Sequence, residues 1–121
     1  MKDVIIVGGG LKGMLTALFL HDAGLNVMLA DQNELGRESS WAGGGWITPL
    51  YPCRASPAVG ALVKDSQQHY PALCERMRQE TNIDPQWLKS GLLITDSSQH
   101  QAAQHWAETW GYSLEILEGS A

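Results

Sequence analysis

Residues Val4 to Asp31 read VIIVGGGLKGMLTALFLHDAGLNVMLAD, and the order of residue types in this stretch decides the fold. Val4 to Val7 is a short apolar, β-branched run of the kind that suits a buried parallel strand. Gly8, Gly10 and Gly13 follow at the spacing GxGxxG. Leu11, Met14, Leu15, Leu18 and Phe19 then recur at helical steps, which predicts a helix that Gly24 stops. Val27 to Ala30 is a second apolar run, and Asp31 stands at its end. Strand, glycine turn, helix, strand and acid is the order that a dinucleotide site requires.

Each part of that order has a physical task. Gly8 permits the tight turn out of the strand, and Gly10 lets a pyrophosphate approach the backbone. Gly13 allows the helix to lie close to the sheet. The free N–H groups and the positive dipole end at the helix start favour phosphate. Asp31 can accept hydrogen bonds from ribose hydroxyls and repels a 2′-phosphate, which disfavours an NADP-type ligand. The motif alone leaves FAD and NAD both open.

Length and composition set the frame around this unit. The chain has 121 residues, 44% of them hydrophobic and 17% charged, which reads as a small globular domain rather than a disordered segment. A net charge of −5 and the absence of any Lys/Arg cluster argue against nucleic acid and anionic membrane surfaces as partners. The first apolar run is too short to span a bilayer, is interrupted by glycines and is needed as a strand, so no membrane anchor or signal peptide is expected. Cys53 and Cys74 are the only cysteines. They are expected as free thiols in a reducing cytoplasm, in packing or surface roles rather than catalytic ones.

Beyond Asp31, Gln32 to Ala55 is rich in Gly and Ser and has little periodicity. A loop of this length inside a compact domain usually binds something. Ser39, Ser40 and the amides of Gly43, Gly44 and Gly45 could donate to phosphate or ring acceptors, and the glycines allow close approach to a flat ligand. Trp41 and Trp46 weigh against a solvated linker. Trp46 to Tyr51 is expected as a short extended segment, punctuated by Pro49 and Pro52.

Ser56 reads as an N-cap with Pro57 at the first helical position. Val59, Leu62, Val63, Tyr70, Leu73, Cys74 and Met77 mark the buried side of a helix running to about Glu80, which Pro71 should kink or split. Strands are predicted at Gln86–Lys89, at Gly91–Thr95 and from Leu114 to Leu117. Between the last two, Ser97 or Ser98 should cap a helix with Ala103, Trp106, Ala107 and Trp110 on one face and Gly111 at its end. His100 and His105 are poorly spaced for a metal pair, and no metal motif is present. The expected class is therefore α/β: an N-terminal βαβ of a Rossmann-like FAD/NAD(P)-binding domain over 1–55, then the first part of a mixed α/β substrate domain over 56–121. A complete dinucleotide fold needs more parallel strands than these. Two expectations follow, a small domain that closes its sheet unusually or the front part of a larger enzyme.

VGGGLKG at Val7 to Gly13, Ala30-Asp31, GRESSWAGGG at Gly36 to Gly45 and PLYP at Pro49 to Pro52 resemble the N-terminus of FAD-dependent glycine oxidases. These belong to the D-amino-acid-oxidase group and serve thiamine biosynthesis. The resemblance continues through SPAV at Ser56 to Val59 and GLL at Gly91 to Leu93. It implies FAD as cofactor, with Gly8, Gly10 and Gly13 shaping the pyrophosphate turn and the amides of Leu11 and Lys12 facing the phosphates. It places Asp31 at the adenosine ribose with Gln32 beside it, Ser39 and Ser40 near the diphosphate, and Gly43 to Gly45 along the ribityl chain and flavin. Lys12 departs from the family, where an aliphatic residue is usual.

The activity so implied is oxidative deamination of glycine and small amines, through an imine that hydrolyses to glyoxylate and ammonia, with hydrogen peroxide formed from dioxygen. The family's substrate-binding arginine, its active-site tyrosine and its last flavin-binding segment have no counterparts here, so the chain alone is expected to be inactive. A small amino acid or amine is the implied substrate, and a C-terminal partner chain or a homo-oligomer the implied partner. Two rival readings are an NAD-dependent dehydrogenase fragment and a non-enzymatic truncated or split-gene product. The long glycine loop directly after Asp31 favours the extended flavin over NAD.

Overall fold

The computed structural model describes residues 1–49 and 51–117. Its contacts divide the chain into two compact units, Met1–Gly45 and Trp46–Ala121.

The first unit is a βαβ. Strand β1 (Val4–Val7) and strand β2 (Val27–Ala30) pair in parallel, with Val4 opposite Val27 and Val7 opposite Ala30. Helix α1 (Leu11–Asp22) connects them, the crossover that two parallel strands require. Gly24, with φ of +85°, follows the helix end and turns the chain towards β2. Asp3 ties the sheet at its lower end, its carboxylate accepting the Asn26 N–H at 2.8 Å.

Side chains alternate across both strands. Val4, Ile6, Val27 and Leu29 are half-buried, whereas Ile5, Val7 and Met28 are exposed on the opposite face. The prediction of buried strands thus holds for one face only, the one on which α1 packs. Within α1, Met14, Leu15 and Leu18 are half-buried, but Leu11 and Phe19 of the predicted apolar face are exposed. A two-stranded sheet is too narrow to reach them.

The second unit is helical. A 3₁₀ turn at Pro52–Arg54 precedes helix α3 (Pro57–Thr81), and the short helix α2 (Ser39–Ala42) lies earlier, inside the glycine loop of the first unit. Ser56 caps α3, its hydroxyl oxygen accepting the Val59 N–H at 3.4 Å. Val63, Tyr70, Leu73, Cys74 and Met77 are half-buried as predicted; Val59 and Leu62 are exposed. Helix α3 is not split at Pro71. One missing N–H is outweighed by helical turns on both sides, the later one laced by Arg78–Glu75 and Arg76–Glu80 ion pairs.

Helix α4 (His100–Trp110) follows a second 3₁₀ turn at Ser97–Gln99, and Gly111, with φ of +68°, ends it as predicted. Asp96, rather than Ser97 or Ser98, is the capping side chain, accepting the Ser98 N–H at 3.0 Å. Ala103 and Ala107 are buried, and Trp106 stacks on Tyr112 with ring centroids 4.6 Å apart. The Tyr112 hydroxyl donates to Gln67 at 2.7 Å, so this tryptophan face is packing.

None of the strands predicted at Gln86–Lys89, Gly91–Thr95 and Leu114–Leu117 forms; all three segments are irregular and largely exposed. Strand-like residues need a partner edge, and the strands described, β1 and β2, belong to the other unit. Trp46–Pro49 likewise forms no strand, and Leu50 lies outside the described residues. No described helix is long and apolar enough to cross a membrane.

Candidate functional site

The turn between β1 and α1 is where the chemistry-bearing residues meet. Gly8 leaves β1 with φ of +106°, a conformation that side-chain-bearing residues rarely adopt. A Cβ on Gly13 would lie 1.8 Å from the Gly8 carbonyl oxygen, so only glycine allows α1 to start this close to the end of β1. Gly10 is the N-cap of α1 and offers no side-chain acceptor. The first amides of the helix therefore point outward for an acceptor from elsewhere.

Two acceptors reach this turn from later in the chain. Asp31, at the end of β2, accepts the Gly9 N–H at 2.6 Å through one carboxylate oxygen. Through the other it accepts the Asn33 N–H at 2.9 Å. These backbone donors, Asn33 first and then Gly9, hold the Asp31 carboxyl below the ordinary carboxylate range. The Gln32 backbone N–H adds to these, and a carboxylate with about four lone-pair sites still has capacity for a hydroxyl donor. The second acceptor is Ser40: its Oγ takes the Leu11 N–H at 2.9 Å. A hydroxyl oxygen from α2 thus stands at the start of α1, where the orphan amides and dipole favour an anionic oxygen.

The glycine loop is fastened to the turn twice, by Ser40 and by Gly36, whose N–H donates to the Gly9 carbonyl at 2.8 Å. Inside it, Asn33 donates to Glu38 at 2.8 Å, and Arg37 lies over the Trp41 ring at 4.2 Å. Of the predicted site residues, the structure brings Gly8, Gly10, Leu11, Lys12, Gly13, Asp31 and Ser40 together. Gln32 and Ser39 are exposed next to them and make no side-chain hydrogen bond among the described residues. Gly43 ends α2, and Gly44 and Gly45 continue the chain with no bond to the turn among the described residues.

Sequence reasoning passed over Gly9 and Gly36. Gly9 is buried, and a Cβ there would meet Leu35 at 2.2 Å and the Asp31 carboxylate at 3.2 Å. The signal was the unbroken Gly8-Gly9-Gly10 run, which exceeds what GxGxxG asks for. Gly36 has φ of +76°, which its place in Leu35-Gly36-Arg37 at the loop's first bend foreshadows. Cys53 and Cys74 are free, and no group of described residues could hold a metal ion. Burial raises the Cys74 thiol pKa, which leaves it a weak nucleophile.

Comparison with known proteins extends this geometry. Residues 3–121 match the family described as FAD dependent oxidoreductase. The chain is 49% identical to the glycine oxidase of Pseudomonas putida over 99% of its own length and 33% of that protein's. It is 50% identical to the glycine oxidase of Pseudomonas aeruginosa, over 88% of this chain and 29% of that one. A shorter likeness, 50% over 26% of this chain, links it to the flavin-containing amine oxidase B of Homo sapiens, of which it covers 6%. No solved structure matches. The chain thus spans about a third of the length of the glycine oxidases it resembles. With a match that runs almost from end to end, the chain belongs to the family of FAD-dependent oxidoreductases.

Proposed function

We propose that this chain is the adenosine- and diphosphate-holding portion of an amine or amino-acid oxidase of the glycine oxidase kind. The observation that carries the reading is the convergence of Asp31 and Ser40 on the Gly8–Gly13 turn. The residues present fit FAD: the Lys12 amide and the dipole at the start of α1 suit phosphate oxygens, beside the Leu11 amide that Ser40 Oγ holds, and the ionised Asp31 carboxylate suits ribose hydroxyls. The chemistry that bound FAD would supply is two-electron oxidation of the carbon bearing the amine. The residues of this chain bind and orient. Gly13 sets the helix close to the strand, Asp31 fixes the ribose, and Ser40 holds the loop from Gly36 to Gly45 near the diphosphate.

Glycine or another small amine would be the substrate, with glyoxylate, ammonia and peroxide as final products and thiamine biosynthesis as the setting. The free thiols suit a reducing cytoplasm. The substrate side would be completed by a C-terminal partner chain or by self-association.

Titration calorimetry with FAD and with NAD tests the cofactor assignment. Saturable FAD binding that Asp31→Asn weakens about tenfold is expected; tight NAD binding with no FAD binding overturns it. For the activity, the 121-residue chain assayed alone with glycine and FAD should release no peroxide above free flavin. Robust release would defeat the assignment of this chain to the cofactor side only.

A further inference from the structure

We propose that Asn33 is a positioning residue of the cofactor site: it couples the Asp31 carboxylate to the Ser40 hydroxyl, so that the ribose side and the diphosphate side of the Gly8–Gly13 turn are held in one arrangement. The proposal rests on the reading of this turn as the FAD site and deepens it by a residue outside the glycine motif. Asn33 acts from both ends. Its backbone N–H donates to Asp31 Oδ1 at 2.9 Å, and its side-chain amide donates to Glu38 Oε1 at 2.8 Å. Glu38 is the N-cap of α2, and its carbonyl oxygen accepts the Trp41 N–H at 3.0 Å. Ser40 follows in that helix, and its Oγ takes the Leu11 N–H at 2.9 Å. Asp31 closes the circuit by accepting the Gly9 N–H at 2.6 Å. Gly9, Asp31, Asn33, Glu38, Ser40 and Leu11 thus form one ring of contacts.

The two halves of the loop depend on this link unequally. The near half is fixed to the turn by Gly36, whose N–H donates to the Gly9 carbonyl at 2.8 Å, and by Leu35, which lies where a Cβ on Gly9 would collide with it. The far half is α2, four residues long and too short to be stable by itself. It is tied back to the near half by the Asn33–Glu38 bond and by Arg37, which pairs with Glu34 at 3.2 Å and stacks on Trp41 at 4.2 Å. Of these two ties, the one through Asn33 also reaches Asp31. Setting both acceptors beforehand spares the complex the cost of ordering the loop when the cofactor binds.

Hydrogen exchange at the Leu11 amide of the full chain, with its affinities for ADP and for adenosine, tests the proposal. In Asn33→Ala, Leu11 exchange should rise about fivefold as Ser40 leaves the amide. Ser40→Ala should raise it at least as much, and Asn33→Ala added to Ser40→Ala should change it no further. Glu38→Gln keeps the acceptor oxygen and should behave as the original chain, whereas Glu38→Ala should match Asn33→Ala. ADP carries the diphosphate and adenosine does not, so Asn33→Ala should weaken ADP about threefold. Adenosine should bind as before, because the Asn33 backbone still donates to Asp31. Leu11 exchange unchanged in Asn33→Ala overturns the coupling whatever the ligands do. ADP and adenosine weakened alike, or neither weakened, overturns the positioning role. Accelerated Leu11 exchange in Asn33→Ala together with an original chain that binds neither ligand removes the FAD reading of the turn, and this assignment with it.

Discussion

Asp31 shows how one carboxylate can serve structure and ligand together. Its two oxygens accept backbone N–H groups from Gly9 and Asn33, which stabilises its ionised form and lowers its pKa. In the unfolded chain the group titrates near 3.8. Stability from Asp31 is therefore fully present above that pH and is lost as pH falls through the lower folded value. Chemical denaturation between pH 7 and pH 2 should show this loss in the original chain and a flatter profile in Asp31→Asn. Gly13 is the second residue whose substitution reports on the site. A Cβ there collides with the Gly8 carbonyl, so Gly13→Ala should destabilise the βαβ unit by about 3 kcal/mol, read as a lower urea midpoint. A midpoint unchanged in Gly13→Ala would show that α1 starts farther from β1 than described.

Among the elements, α3 gives the sharpest test. It continues through Pro71, which lacks the N–H that an interior helical residue would donate. Pro71 is exposed, so replacement loses little packing. Pro71→Ala should stabilise the helical unit by about 1–3 kcal/mol, whereas Ser56→Ala should cost about 1 kcal/mol by removing the cap on Val59. Urea unfolding followed by helical circular dichroism measures both, and a Pro71→Ala chain no more stable than its parent would contradict the first. The contrast between helices and strands has a local cause. Helix α3 satisfies its own hydrogen bonds, and its start and length were legible from Ser56-Pro57 and the apolar spacing. The strands expected near Trp87, Leu93 and Ile116 needed hydrogen bonds from elsewhere, and local sequence carries no information on whether a partner strand arrives.

For the whole molecule the governing quantity is unburied apolar surface. Gly9, Pro52, Ala103 and Ala107 are the buried residues among those described. Ile5, Val7 and Met28 leave one face of the parallel sheet open, although parallel sheets are normally covered on both faces. The isolated chain should therefore bind the dye ANS and associate at high concentration. Ile5→Thr with Val7→Thr should reduce both while leaving the βαβ circular dichroism intact. Dye binding that persists unchanged in the double variant would place the sticky surface elsewhere.

The sequence by itself determined the βαβ unit, its glycine turn, the acid at the end of β2 and the N-cap of α3. Each of these is specified by residues within a few positions, through backbone conformation and local hydrogen bonding. It also determined family membership, because the match to the family runs over residues 3–121. Only the tertiary structure decided that Asp31 and Ser40 reach the same turn, that Gly9 is the buried glycine, and that three strand-like segments stay irregular. Those outcomes depend on contacts across more than twenty residues of chain, and the energy of such a contact resides in the pair rather than in either residue's neighbourhood.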